Sequence, residues 1–227
     1  VMSTPKGWSV VEIDMYTKTI TVESPKSFDN EEERSGTIGL KGYTPEGVQK
    51  TISLYVAILE NPDVDYRSTP ANCYIANIPG TRYLFDAKIG GSATPLNTEY
   101  VEIVWQTSDD LVKYVDMQDG VVEFYIEAVE SKENNATKTV TPGNALIGAY
   151  SGAGELLWTW HIWVTNSKPE EEIITLNGKT LMNINLGADC NSNGEKDGAK
   201  IGSSYGLYYQ WGRPTPFKPA SSGVYGN

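Results

Sequence analysis

Apolar and polar residues alternate along most of this chain with a period of two. Over residues 51–58, Ile52, Leu54, Val56 and Ile58 fall on one side, and Thr51, Ser53, Tyr55 and Ala57 fall on the other. That is the pattern of a strand with one face on a core. Val101, Ile103 and Trp105 alternate with Glu102, Val104 and Gln106, and Val122, Phe124 and Ile126 alternate with Glu123, Tyr125 and Glu127. The strongest run covers residues 156–164. It places Leu156, Trp158, Trp160, Ile162 and Val164 on a core face, and Leu157, Thr159, His161 and Trp163 on the opposite one. Asp119-Gly120 and the segment 151–154 supply the positive-φ positions that hairpin turns need, so successive strands are expected to be antiparallel neighbours. No stretch of similar length repeats apolar residues at helical spacing, and Thr, Val, Ile and Tyr crowd the periodic segments. The predicted fold class is all-β, a tandem of antiparallel immunoglobulin-like sandwiches with an irregular C-terminal extension.

The alternation breaks twice. Residues 60–70 (ENPDVDYRSTP) and 166–172 (NSKPEEE) are polar, charged and proline-bearing, which marks them as candidate boundaries. Three segments are therefore expected: an immunoglobulin-like module over 1–60, a second sandwich over 70–165, and a partial C-terminal domain over 173–227. The last is rich in Gly, Asn, Ser and Tyr and has little apolar periodicity. No export signal opens the chain and no apolar run is long enough to span a bilayer. The chain is expected to be a piece of a longer secreted protein.

A formal net charge of −11 disfavours nucleic acid and anionic membrane surfaces as partners, since both are bound through clustered Lys and Arg. The two cysteines, Cys73 and Cys190, lack the spacing of a zinc site. Cys73 stands in an apolar run, where a free thiol behaves as a small hydrophobe, so the pair is expected to be unbridged.

Three groups of motifs carry a resemblance. GWSVVEID, KTITVESP and KTISLYVAIL resemble the short immunoglobulin-like modules of Bacteroidetes surface proteins, including the BACON type. PANCYIANIPGTRYLF, VEIVWQT and GNALIGAYSGAGELLWTWHIWVT follow in the order seen in fimbrillin-like and adhesin-like proteins of the same bacteria, which they resemble. LMNINLGA and YGLYYQWGRPTPF are similar to the opening of the Fibrobacter succinogenes major paralogous domain. In that block Asn183 and Ile184 replace the family's Asp and Arg, which leaves any role of those two without a counterpart. The resemblance implies display at the cell surface or outer membrane, with adhesion to a protein or glycan partner.

Candidate sites are few. His161 is the sole histidine, so a Ser-His-Asp or Cys-His arrangement would have to use it. It shares a strand face with Thr159 and Trp163, a surface that suits packing or an interface first, and sugar stacking second. Tyr205, Tyr208, Tyr209 and Trp211, followed by Arg213, form the densest aromatic group. They fit either a carbohydrate platform or the cover of a neighbouring sandwich. The loop DCNSNGEKDG offers Asp189, Asn191, Asn193 and Asp197 at spacings that imitate the first half of a calcium loop. Lys200 stands where the bidentate Glu belongs, so an ordinary turn is expected, with Ca²⁺ the alternative and no other cofactor. The runs Glu31 to Glu33, Asp109-Asp110 and Glu170 to Glu172 read as solvated loops, because a glycosidase pair faces across several ångströms. Asn135-Ala136-Thr137 matches a glycosylation pattern and is read simply as an exposed loop. Without a GxSxG, a phosphate-binding glycine loop or a metal-ligand cluster, the chain is expected to be a non-catalytic adhesion or fimbrial-tip-like module. The alternative is a carbohydrate-binding accessory module.

Overall fold

The computed structural model describes residues 1–17, 19–25, 35–59, 61–91, 94–131, 137–191 and 198–218. Among the described residues the chain is all-β apart from one short helix, and it divides into two compact units, Val1–Leu59 and Glu60–Asn227.

The first unit is built of hairpins. β1 (Ser9–Asp14) pairs with β2 (Thr19–Glu23), and β3 (Ser35–Tyr43) pairs with β4 (Gln49–Ala57) in unbroken antiparallel register. Ser3 bridges Gly39 and so adds the N-terminal segment to β3. Ile38 and Leu40 are buried, and Leu54 and Val56 on the partner strand are half-buried. Ile52 shares their face but is 58% exposed, although its partner Leu40 is buried. The Glu31 to Glu33 run lies outside the described residues.

The second unit is a sandwich of two four-stranded sheets. Sheet I has the order β5 (Val64–Asp65), β7 (Thr81–Asp86), β10 (Val121–Ile126) and β9 (Tyr114–Gln118). Sheet II has the order β6 (Cys73–Ala76), β14 (Leu156–Val164), β13 (Gly143–Tyr150) and β8 (Tyr100–Gln106). The core between them takes Tyr83 and Phe85 from β7, Val122 and Phe124 from β10, Ala145 and Ile147 from β13, and Trp160 and Ile162 from β14. Tyr83 stacks on Phe124 at 5.0 Å, and Phe85 meets Trp160 at 4.9 Å. Aromatic pairs at such separations add to what area burial alone provides. Two small hairpins, β11 (Val129–Glu130) with β12 (Lys138–Thr139) and β15 (Ile173–Leu176) with β16 (Lys179–Met182), and the helix α1 (Gly198–Ser203) complete the unit.

The expected hairpin turns are present, with Asp119 at φ 53° and Gly120 at φ 80° between β9 and β10, and Gly154 at φ 82° before β14. Elsewhere the structure adds to the sequence pattern. The interval 60–70, read as a candidate boundary, opens the second unit and contains β5, which pairs in parallel with β7. β6 likewise pairs in parallel with β14. The described part of 173–227 belongs to the same compact unit as the sandwich, and its residues 184–188, 209, 214 and 218 meet sheet II.

Two β-bulges move side chains between faces. The β8/β13 register slips between Leu146 and Ile147, so Trp105 pairs with Leu146 on the outer face and not with the Val101 and Ile103 face. The β13/β14 register slips at Ala149 and Tyr150, so Leu157 packs on the core while Leu156, pairing with Tyr150, is 37% exposed. A single extra residue inverts every inward and outward assignment beyond it.

Candidate functional site

The outer face of sheet II carries one row of Cys73, His161, Leu146 and Trp105 across four strands, and a second of Ile75, Trp163 and Asn144. This face is closed. Trp163 forms a second small core with Ile184 and Ala188, and its indole Nε1–H donates to the Ala188 carbonyl at 3.0 Å. The Lys218 ammonium lies 5.6 Å from the centre of the Trp105 ring, and the Thr159 hydroxyl donates to the Pro214 carbonyl. The apolar residues Ile184, Leu186 and Ala188 alternate along the C-terminal segment as a strand's would. The hydrophobic effect accounts for their seat on the indole and isoleucine rows.

A polar chain runs through this interface. His161 Nε2 lies 2.8 Å from Asn144 Oδ1, and His161 Nδ1 lies 2.8 Å from the Tyr209 hydroxyl. Asn144 Nδ2 donates to the Gly187 carbonyl at 2.9 Å, which turns its Oδ1 toward the histidine. The imidazole is therefore protonated on Nε2, and Nδ1 accepts from Tyr209, since each neutral ring has one donor and one acceptor nitrogen. Burial pulls the His161 pKa down to about 3 and raises that of the Tyr209 hydroxyl. The ring stays neutral with both nitrogens occupied. It has no free lone pair to take a proton from an outside molecule.

His161 and Trp163, the strand-face candidates, are thus 2% and 0% exposed and engaged with the chain's own C-terminal segment. The aromatic group divides. Tyr209 points its hydroxyl inward to His161, whereas Trp211 is 100% exposed. The loop that carries Trp211 is braced at its base by paired backbone hydrogen bonds between Tyr208 and Phe217. Arg213 Nε donates to the Thr215 carbonyl and hydroxyl, both at 2.9 Å, and its guanidinium lies 4.2 Å from the centre of the Phe217 ring. Tyr205, Tyr208 and Phe217 are each about half exposed.

The carboxylates serve the surface of sheet I. Arg82 joins Asp63 at 2.6 Å to Glu123 at 3.2 Å, and the Tyr114 hydroxyl donates to Glu123 at 2.8 Å. This cross-strand network is not legible in the sequence, because Asp63, Arg82 and Glu123 are distant in the chain. Of the calcium-loop candidates, Asp189 is a surface residue whose backbone N–H donates to the Ser203 carbonyl, and Asn191 is exposed. Asn193 and Asp197 lie outside the described residues, as do Asn135 and Ala136. Among the described residues no group of three or more His, Cys, Asp or Glu side chains is placed to hold a metal ion. Among these residues no helix is long and apolar enough to cross a membrane. Cys73 and Cys190 are not joined in a disulfide.

Compared with protein-family models, with curated proteins and with solved structures, the chain matches none of them.

Proposed function

We propose that this chain is a non-catalytic adhesive module displayed at a bacterial cell surface, and that the loop over residues 208–217 is its contact element. The observation that carries this reading is the wholly exposed indole of Trp211 on a loop held by the Tyr208–Phe217 bridge and the Arg213–Phe217 stack. An exposed indole offers a partner a large apolar face to cover, and a braced loop loses little entropy when it binds. An indole offers roughly 150–250 Å². Covering one face is worth about 2 kcal/mol, or about thirtyfold in affinity. The sealed state of the only imidazole supports the non-catalytic part. The adhesive part and the location at the cell surface rest on the motif resemblances, and the −11 charge argues against nucleic acid as the partner.

The test is retention of beads carrying the full chain on mucin-coated surfaces and on plant cell-wall particles. Wild-type beads are expected to be held on at least one surface, with Trp211→Ala beads held at least tenfold less. Equal retention of wild-type and blank beads on both surfaces, or of wild-type and Trp211→Ala beads, overturns the reading.

A further inference from the structure

We infer that the 208–217 loop binds a neutral pyranose glycan, with Trp211 as the stacking platform and Arg213 as a fixed hydrogen-bond donor. This inference rests on the reading of that loop as the contact element and names what it contacts.

Three features favour a sugar. First, Trp211 is fully exposed at the loop tip. A protein hot spot is normally ringed by contacts that exclude water, and a standard protein interface takes about 800 Å² from each side. A lone open ring instead suits the flat C–H face of a pyranose, which offers both apolar carbons and a polarised positive edge to an aromatic quadrupole. Second, Arg213 is held by Nε on Thr215 and by its stack on Phe217. Among the described residues its two terminal amines have no other partner, so they form a preorganised fork for vicinal hydroxyls. Third, exposed rings recur at Tyr205, Tyr208 and Trp211 along the same segment, which provides for more than one residue of a chain-like ligand.

Charge decides between neutral and acidic glycans. One fixed guanidinium in a chain with 29 acidic and 18 basic side chains does not offset the long-range repulsion of a polyanion. Neutral polysaccharide is therefore the favoured occupant.

The experiment is affinity electrophoresis of the full chain through gels containing galactomannan, xyloglucan or hyaluronan. At least one neutral polysaccharide is expected to retard the wild type. Trp211→Ala should lower that affinity at least tenfold, Trp211→Phe should lower it less, and Arg213→Lys should weaken it with an unchanged melting temperature. Failure of both neutral polysaccharides to retard the wild type, retardation by hyaluronan alone, or equal retardation of Trp211→Ala overturns the inference. Periodate and protease treatment of the surfaces in the bead experiment separates the two proposals. Retention that depends on Trp211, survives periodate and disappears after proteolysis assigns a protein ligand. It overturns the glycan inference while leaving the adhesive reading standing.

Discussion

His161 shows how a residue that looks chemically useful becomes a structural one. Its ring is neutral because burial penalises the charged form, and both nitrogens are satisfied by Tyr209 and Asn144. The folded-state pKa of about 3 lies below the unfolded value of 6.5, so between these limits the unfolded chain binds more protons. Stability from this group is fully present above pH 6.5 and is lost as the pH falls toward 3, with a slope of up to about 1.4 kcal/mol per pH unit. Chemical denaturation across this range should show a flatter pH profile for His161→Gln than for the wild type, and parallel profiles would refute the assignment. Trp163 is a second such case. Trp163→Ala removes a buried indole and its bond to Ala188, and should cost about 3–5 kcal/mol while leaving Trp211-dependent binding intact in the folded fraction. Cys73 is shielded as well, its thiol pushed up to about 12 by burial. Labelling with a thiol reagent should leave Cys73 unmodified until the second unit unfolds.

At the scale of elements, the C-terminal segment owes its path to glycines. Gly187 has a φ of 85°, and a Cβ there would stand 2.7 Å from Asn144 Oδ1, on the polar chain itself. Gly187→Ala should therefore destabilise the second unit by roughly 2 kcal/mol, measured as a lowered denaturation midpoint, and should loosen the Tyr209–His161 contact with it. A smaller effect is expected at Gly178, where the φ of 71° carries a similar backbone cost but a Cβ meets nothing within 4 Å. The bulges act at this scale too. Period-two counting assigned most of β10 and β14 to the correct faces, yet it misplaced Trp105 and Leu156, each beyond a register slip that leaves no local composition signal.

For the whole molecule, the C-terminal segment is part of the second sandwich's packing. Removing everything after Glu172 would uncover Trp163, Leu146 and His161 on sheet II, a contiguous face that includes three large side chains now almost fully buried. That truncated chain should aggregate or bind a hydrophobic dye, and its thermal unfolding should shift down well beyond the effect of Trp163→Ala. Among the described residues of the first unit, Ile38 and Leu40 are the buried hydrophobic side chains, and small cores give small stability margins. Calorimetry of the full chain should resolve a weaker transition for this unit and a stronger one for the sandwich.

By itself the sequence determined the all-β class, the hairpin turns at Asp119-Gly120 and before β14, and the aromatic wealth of the 205–217 segment. These are local properties, set by alternation, by residues that tolerate positive φ and by composition. Only the tertiary structure decided that residues 64–65 belong to a sheet, that the Thr159, His161 and Trp163 face is closed by the chain's own C-terminal segment, and that the half-exposed Tyr209 turns its hydroxyl inward while Trp211 stays wholly in water. Those outcomes depend on pairings between residues up to 55 positions apart. Solvent exposure belongs to such assembled contacts and cannot be read from any single strand.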